Sequence, residues 1–155
     1  MIYLYAKILF ILTFIASLTY EQTLKATKYC QVNNEKIQKK AKELKKSTPL
    51  ETAKHIFSFV QVKIKYDRYA NTKRGAVKTL EDKKGNCADQ AHLLVALFRA
   101  VGIPARYVHG TNHYWTQCQV NGKLYDCDPT NRKHSFGKRH PDGKKVLSHM
   151  NELSY

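Results

Sequence analysis

Acidic residues are scarce in this chain: 12 Asp and Glu stand against 27 Lys and Arg, a formal net charge of +15 over 155 residues. That shortage predicts attraction to a polyanion, whether nucleic acid, an anionic membrane surface or an acidic polysaccharide. Cysteine is also sparse. Cys30, Cys87, Cys118 and Cys127 form no Cys-x-x-Cys pair and no regular spacing with histidine, which argues against a structural zinc site. The lysine-rich stretch from Lys36 to Lys45 contains no aromatic residue on which a base could stack, so it reads as a solvated face and not as a specific nucleic-acid surface. Internal repeats are missing, which excludes a solenoid. The length suffices for one core and not for two.

Long apolar runs are confined to the beginning. Within residues 1–22, Lys7 is the only charged residue before Glu21, and Ile8 to Leu18 carries no charge. A spanning helix needs about 20 apolar residues. No basic residue precedes the run and no small-x-small site follows it. The segment therefore has four readings: a signal peptide, a membrane anchor, the remnant of an upstream domain, or a soluble packing helix.

What is present centres on Gly85-Asn86-Cys87-Ala88-Asp89-Gln90-Ala91-His92-Leu93-Leu94-Val95-Ala96-Leu97-Phe98-Arg99-Ala100-Val101-Gly102-Ile103-Pro104. Strong helix formers, apolar on nearly every side, predict a buried central helix over Ala88 to Val101. Asn86 is a suitable N-cap, Asp89 three residues on approximates a capping box, and Gly102 with Pro104 supplies the stop. Cys87 then opens the helix, where unpaired N–H groups and the macrodipole favour thiolate over thiol.

Downstream, Asn121-Gly122 between two strand-like runs predicts a two-residue hairpin. Counting from that turn sets Val120 opposite Lys123, Trp115 opposite Asp128 and His113 opposite Thr130. His113, Trp115 and Gln117 then share a face with Asp126 and Asp128, and Asp128 becomes the diagonal neighbour of His113. Cys87, His113 and Asp128 emerge as nucleophile, base and orienter, the set that activates a thiol for acyl transfer. Cys118 and Cys127 fall on the opposite face and not directly across from one another, so their pairing stays open, while Cys87 is expected to be free. His109 is the rival base but gains no acidic partner from the register. His92 lies too far round its helix to face the thiol. His134, His140 and His149 read as surface residues.

Elsewhere, Asn34 opens an amphipathic helix with Ile37, Ala41 and Leu44 on one face. Thr48-Pro49-Leu50-Glu51 opens another through a capping box, with Leu50, Ala53, Ile56, Phe57 and Val60 as its buried stripe and His55 off it. Val62 to Tyr66 reads as a short extended piece and Asp67 to Gly75 as a loop, with Thr79 to Lys84 leading into the cysteine turn. Strands are predicted near Ala105–His109, Tyr114–Val120 and Lys123–Asp128, followed by a basic loop over 131–143. Helices before an antiparallel sheet make an α+β domain.

The runs Gly85-Asn86-Cys87-Ala88-Asp89, Arg99-Ala100-Val101-Gly102-Ile103-Pro104-Ala105-Arg106-Tyr107-Val108, His113-Tyr114-Trp115 and Asp128-Pro129-Thr130 resemble, in order and spacing, the core of the transglutaminase-like superfamily. Within it, Asn71-Thr72-Lys73-Arg74-Gly75-Ala76-Val77-Lys78-Thr79-Leu80 and Tyr107-Val108-His109-Gly110 are similar to pseudomurein endoisopeptidases and related wall proteins of methanogenic archaea and their viruses. Only Thr111 and Asn112 separate Gly110 from His113, a shorter link than that branch carries.

The resemblance implies a papain-like fold over residues 31–155, with N-terminal helices and a central cysteine-bearing helix packed on an antiparallel sheet. It implies a cysteine hydrolase with Cys87, His113 and Asp128 as triad, supported by Asn86 and Trp115, acting on amide or isopeptide crosslinks of a wall polymer. A protein-crosslinking transglutaminase and a non-catalytic wall module are the alternatives. On this reading the protein is an extracellular or wall-associated monomer, associated with a membrane through residues 1–22 if at all, and needs neither cofactor nor metal. The Cys87 N–H is one oxyanion donor, and the second is unassigned.

Overall fold

The structure, a computed structural model, describes residues 24–138 and 145–153. Among the described residues four helices and six strands follow in order: α1 (Glu35–Leu44), α2 (Pro49–Lys63), β1 (Lys65–Tyr66), α3 (Gly75–Asp82), β2 (Lys84–Gly85), α4 (Cys87–Ala100), β3 (Ala105–Gly110), β4 (His113–Val120), β5 (Lys123–Cys127) and β6 (Val146–Met150). The expected mixed architecture of helices and an antiparallel sheet is present. The segment 1–22 and His140 lie outside the described residues.

Local chemistry explains the first two helices. Asn34 caps α1 by accepting from the Lys36 N–H, and Ile37, Ala41 and Leu44 are its buried face. Thr48 and Glu51 complete the capping box of α2, with Pro49 at its first position. Ala53, Ile56, Phe57 and Val60 are buried, and Leu50 packs against the core partly exposed. The helix continues through Val62 to Lys63, so the extended piece expected there shrinks to Lys65–Tyr66. His55 is half-buried, its Nδ1 2.9 Å from the Leu44 carbonyl, which ties α2 to the end of α1.

Helix α4 lies at the centre, every residue from Ala88 to Arg99 buried. It ends in a Schellman arrangement: the Gly102 N–H donates to the Arg99 carbonyl (3.0 Å) and the Ile103 N–H to the Phe98 carbonyl (2.9 Å), with Gly102 at φ +77°. Its predicted capping box does not close. Asn86 accepts from the Asp89 N–H, but the Asp89 carboxylate turns away and caps another helix.

That second helix, α3, was expected to be loop and linker. Arg74 stands at its N-cap without a side-chain cap bond. The cap arrives from α4 instead: Asp89, fully buried, accepts from the backbone N–H groups of Lys73 (3.3 Å), Arg74 (3.0 Å) and Gly75 (2.8 Å) and from the Tyr69 hydroxyl. A carboxylate at a helix N-terminus satisfies orphan donors and the dipole together.

The sheet order is β5-β4-β3-β6, antiparallel throughout. Asn121 (φ +51°) and Gly122 (φ +76°) both take the left-handed conformation a primed hairpin turn requires, and Val120 pairs with Lys123 as counted. Strand β5 stops at Cys127, one residue short of the expectation. Strand β6, read as neither strand nor core, pairs with β3 at the outer edge. Thr116, Tyr107 and Ala105 face α4 through contacts to the Ala91 carbonyl, His92 and Arg99.

Candidate active site

Three elements bring the predicted residues together at their ends. Cys87 is the first residue of α4, His113 the first of β4, and Asp128 the residue after β5. Asn86 presents the cysteine. Its side chain is buried, caps α4, and donates through Nδ2 to the carbonyls of Tyr69 (3.2 Å) and Asn71 (2.8 Å), tying the turn to the preceding loop.

His113 Nε2 lies 2.8 Å from Asp128 Oδ2, with both side chains buried. Beyond the last ladder pair the diagonal relation counted from the hairpin still holds. The imidazole interacts with the Cys87 thiol by hydrogen bonding and charge. Since Nε2 is taken by the carboxylate, the other ring nitrogen serves the thiol side.

The three groups shift one another in a consistent sense. Burial pushes the Cys87 thiol up, but hydrogen bonds to His113 and to the backbone N–H groups of Tyr114 and Ala88, with the His113 charge, leave it below the ordinary thiol value. Burial alone would lower His113, yet Asp128 and Cys87 raise it to about 9. Burial opposes the Asp128 anion as well, and His113 and Thr130 bring it down to about 2. A thiolate facing an imidazolium that a carboxylate orients is a set of groups competent for nucleophilic attack on an acyl carbon.

The carboxylate holds more partners than expected. Oδ1 accepts from the Thr130 backbone N–H (3.1 Å) and hydroxyl (2.7 Å). Oδ2 is shared between His113 and His134, whose Nδ1 lies 3.2 Å from it and 3.2 Å from the Asp128 carbonyl. His134, expected on the surface, is buried, because Gln61 of α2 donates to the Asn131 and His134 carbonyls and folds that loop inward. No strand register reaches residue 134, so hairpin counting could not place it.

Trp115 packs beside the site from the core side. It is 1% exposed, stacks beside His113 at 6.0 Å between centroids, and its Nε1–H donates to Asp126 Oδ1 (2.9 Å). It also lies over Gly110, where a Cβ would come within 2.5 Å of the indole. Any side chain at Gly110 would displace the ring. Gln117 donates to the same Asp126 oxygen, confirming the shared face.

The rival histidines fall elsewhere. His109 stacks on Tyr114 at 4.6 Å. His92 is buried against the Tyr107 hydroxyl and Thr72, and burial drops it to about 4, so it is neutral at pH 7. His149 is exposed on β6. Cys87 is a free thiol, as expected, and Cys118 and Cys127 are also unbonded, with sulfurs 3.8 Å apart on diagonal positions. Tyr66 was not singled out from the sequence, yet burial and then the neighbouring Cys87 thiol raise its hydroxyl above the ordinary phenol value. A signal was available in hindsight only through the pairing of β1 with β2 immediately before Cys87.

Comparison with known proteins places this geometry. No curated protein matches the chain. Among solved structures it is similar to a candidate cysteine protease from Cytophaga hutchinsonii, at 25% identity and a TM-score of 0.71, over 84% of this chain and 46% of that one. It also shares its fold with the periplasmic domain of TgpA from Pseudomonas aeruginosa, at 19% identity and a TM-score of 0.58, over 74% and 47% of the two chains. A candidate protease from Parabacteroides distasonis adds a third, at 18% identity and a TM-score of 0.55, over 70% and 25%. The chain thus spans less than half the length of each. The model of one family, the transglutaminase-like superfamily, matches residues 38–133, more than half of the chain, from α1 through the Asp128 loop. The chain therefore belongs to the transglutaminase-like superfamily.

Proposed function

We propose that the protein is a cysteine hydrolase that cleaves an amide bond through a thioester, with Cys87 as nucleophile, His113 as acid and base, and Asp128 as orienter. The carrying observation is the His113–Asp128 contact of 2.8 Å beside a thiol held below its ordinary pKa. The Cys87 thiolate attacks the carbonyl carbon, His113 protonates the leaving amine, and Asp128 fixes the imidazole tautomer; water then releases the acid. The Cytophaga hutchinsonii structure, itself a candidate cysteine protease, supports peptidase chemistry.

The finer reading is an isopeptide bond to a lysine side chain in pseudomurein, supported by the resemblance of residues 71–80 and 107–110 to archaeal wall proteins. A net charge of +15 suits an enzyme retained at an acidic wall polymer. That substrate lies outside a cell membrane, and the TgpA fold neighbour is a periplasmic domain. A transglutaminase would use the same residues with an amine in place of water.

The test is lysis of pseudomurein-walled cells, or release of lysine-linked peptide, by the protein and by Cys87→Ala in reducing buffer. Activity confined to the unaltered protein is expected. Equal activity in both rejects Cys87 as nucleophile, and amine incorporation exceeding hydrolysis selects the transferase.

A further inference from the structure

The loop after Asp128 returns a second histidine to the carboxylate that orients His113. Gln61 of α2 grips residues 131–134, its Nε2 donating to the Asn131 carbonyl (2.8 Å) and the His134 carbonyl (2.9 Å), while the His134 N–H closes the turn onto the Asn131 carbonyl (3.0 Å). Further on, Phe136 stacks on Tyr125 at 5.2 Å between centroids, and the Gly137 N–H donates to the Asp126 carbonyl (2.8 Å). The loop is thus fastened on both sides of His134, which is 7% exposed. Its Nδ1 lies 3.2 Å from the Asp128 carbonyl oxygen and 3.2 Å from Oδ2. A carbonyl and an ionised carboxylate can only accept, so Nδ1 carries a proton directed at them.

We propose that His134 is a positioning residue of the triad, holding Asp128 Oδ2 in place against His113. This rests on the acyl-transfer reading above. Among the described residues four donors reach the carboxylate: the Thr130 N–H and hydroxyl on Oδ1, and the His113 and His134 rings on Oδ2. The terminal torsion of an Asp side chain is soft, so bonds to Oδ1 hold Oδ2 only loosely. His134 removes that looseness at the oxygen His113 uses. In the first half of the reaction the C–S bond forms, the C–N bond breaks and His113 gives its proton to the leaving nitrogen. In the second half His113 takes a proton from the attacking water, the C–O bond forms and the C–S bond breaks, which restores thiolate and imidazolium. Asp128 stays ionised throughout, so what it supplies is direction, and a carboxylate that drifts lets the ring drift with it. Misplacement on the order of 1 Å costs roughly a hundredfold in rate.

The experiment sets donor against bulk. His134→Leu fills the buried space and has no donor; His134→Asn is smaller and keeps an N–H near the place of Nδ1. Each is compared with the unaltered full chain in acylation of Cys87 by p-nitrophenyl acetate and in the pH profile of its alkylation by iodoacetamide. Cys87→Ala assigns both reactions to this thiol, and circular dichroism checks the fold of each variant. His134→Leu is expected to acylate roughly ten- to a hundredfold more slowly, and to alkylate only at higher pH because a drifting Asp128 supports the His113 charge less. His134→Asn is expected to acylate within about threefold of the unaltered protein and to keep its alkylation profile. Should His134→Leu fail to fold, Gln61→Met, which frees the loop and leaves every triad residue in place, carries the same expectation. Acylation and profile unmoved by loss of the donor, or a larger loss in His134→Asn than in His134→Leu, would reduce His134 to a filler of space and overturn the proposal. Absence of Cys87-dependent acylation in the unaltered protein would instead reject the hydrolase reading, and this one with it.

Discussion

Cys87 and His113 titrate as a pair, and their shifts define where the site works. The thiol lies below its ordinary value, while His113 stays protonated up to about 9, so the pair favours thiolate with imidazolium over thiol with neutral imidazole. Iodoacetamide should therefore alkylate Cys87 at a lower pH than a free thiol, and His113→Ala should move that profile up toward the ordinary thiol value. A profile unmoved by the substitution would detach the imidazole from the thiol. Above pH 9 amide turnover should fall, because a neutral imidazole has no proton for the leaving amine, whereas alkylation should persist. Asp128→Asn is expected to lower turnover on the order of a thousandfold, with thermal stability and alkylation followed as controls for folding.

The same shifts act on stability with opposite signs. His113 is raised, so its contribution is complete below its ordinary 6.5 and is lost as pH rises through about 9. Asp128 is depressed, so its contribution is complete above its ordinary 3.8 and is lost as pH falls toward 2. Urea midpoints should accordingly show these two contributions together between about pH 4 and 6.5, and Asp128→Asn should flatten both limbs. Unchanged limbs in that variant would break the linkage.

At the scale of elements, legibility followed how locally each one is specified. Helices α1 and α2 carry their own caps in Asn34, Thr48 and Glu51, and the β4–β5 hairpin carries its turn in Asn121-Gly122; all were readable. Helix α3 was not, because its cap is Asp89, fourteen residues beyond Gly75 and on another helix. Strand β6 has an intermediate-exposed-exposed-exposed-intermediate face pattern and little alternation to detect, and its place comes from the edge of β3. Tyr66 and His134 reach the site through a two-residue bridge and a folded loop, neither of which leaves a period in the sequence.

Asp89 makes that dependence measurable. Replacing it with Asn keeps the shape but turns an amide N–H₂ toward buried donors, and leaving such donors unpaired costs about 1 to 3 kcal/mol each. Asp89→Asn should destabilise the protein by about 3 kcal/mol or more in urea unfolding. Thr48→Ala, which removes an exposed capping box, should cost only about 1 kcal/mol. Similar losses for the two would contradict the central role given to the buried carboxylate.

Over the whole molecule, charge is the dominant property. With +15 on 155 residues, adsorption to a polyuronate matrix should be firm at low ionic strength and released as salt shortens the screening length from about 8 Å at 0.15 M to about 3 Å at 1 M. A neutral glucan of the same length is the control. Retention equal on both, or insensitive to salt, would remove electrostatics from the proposed attraction to an acidic polymer.

Each reacting side chain stands at a terminus of its helix or strand, with the packed interior behind it and loops in front. Such a layout separates inheritance of chemistry from choice of target. Exposed positions in front of the site such as Arg68, Lys73, Arg132 and Lys133 can change their side chains while α4 and its sheet keep their packing. Substitution at those positions is thus the natural route to redirecting this scaffold toward new targets.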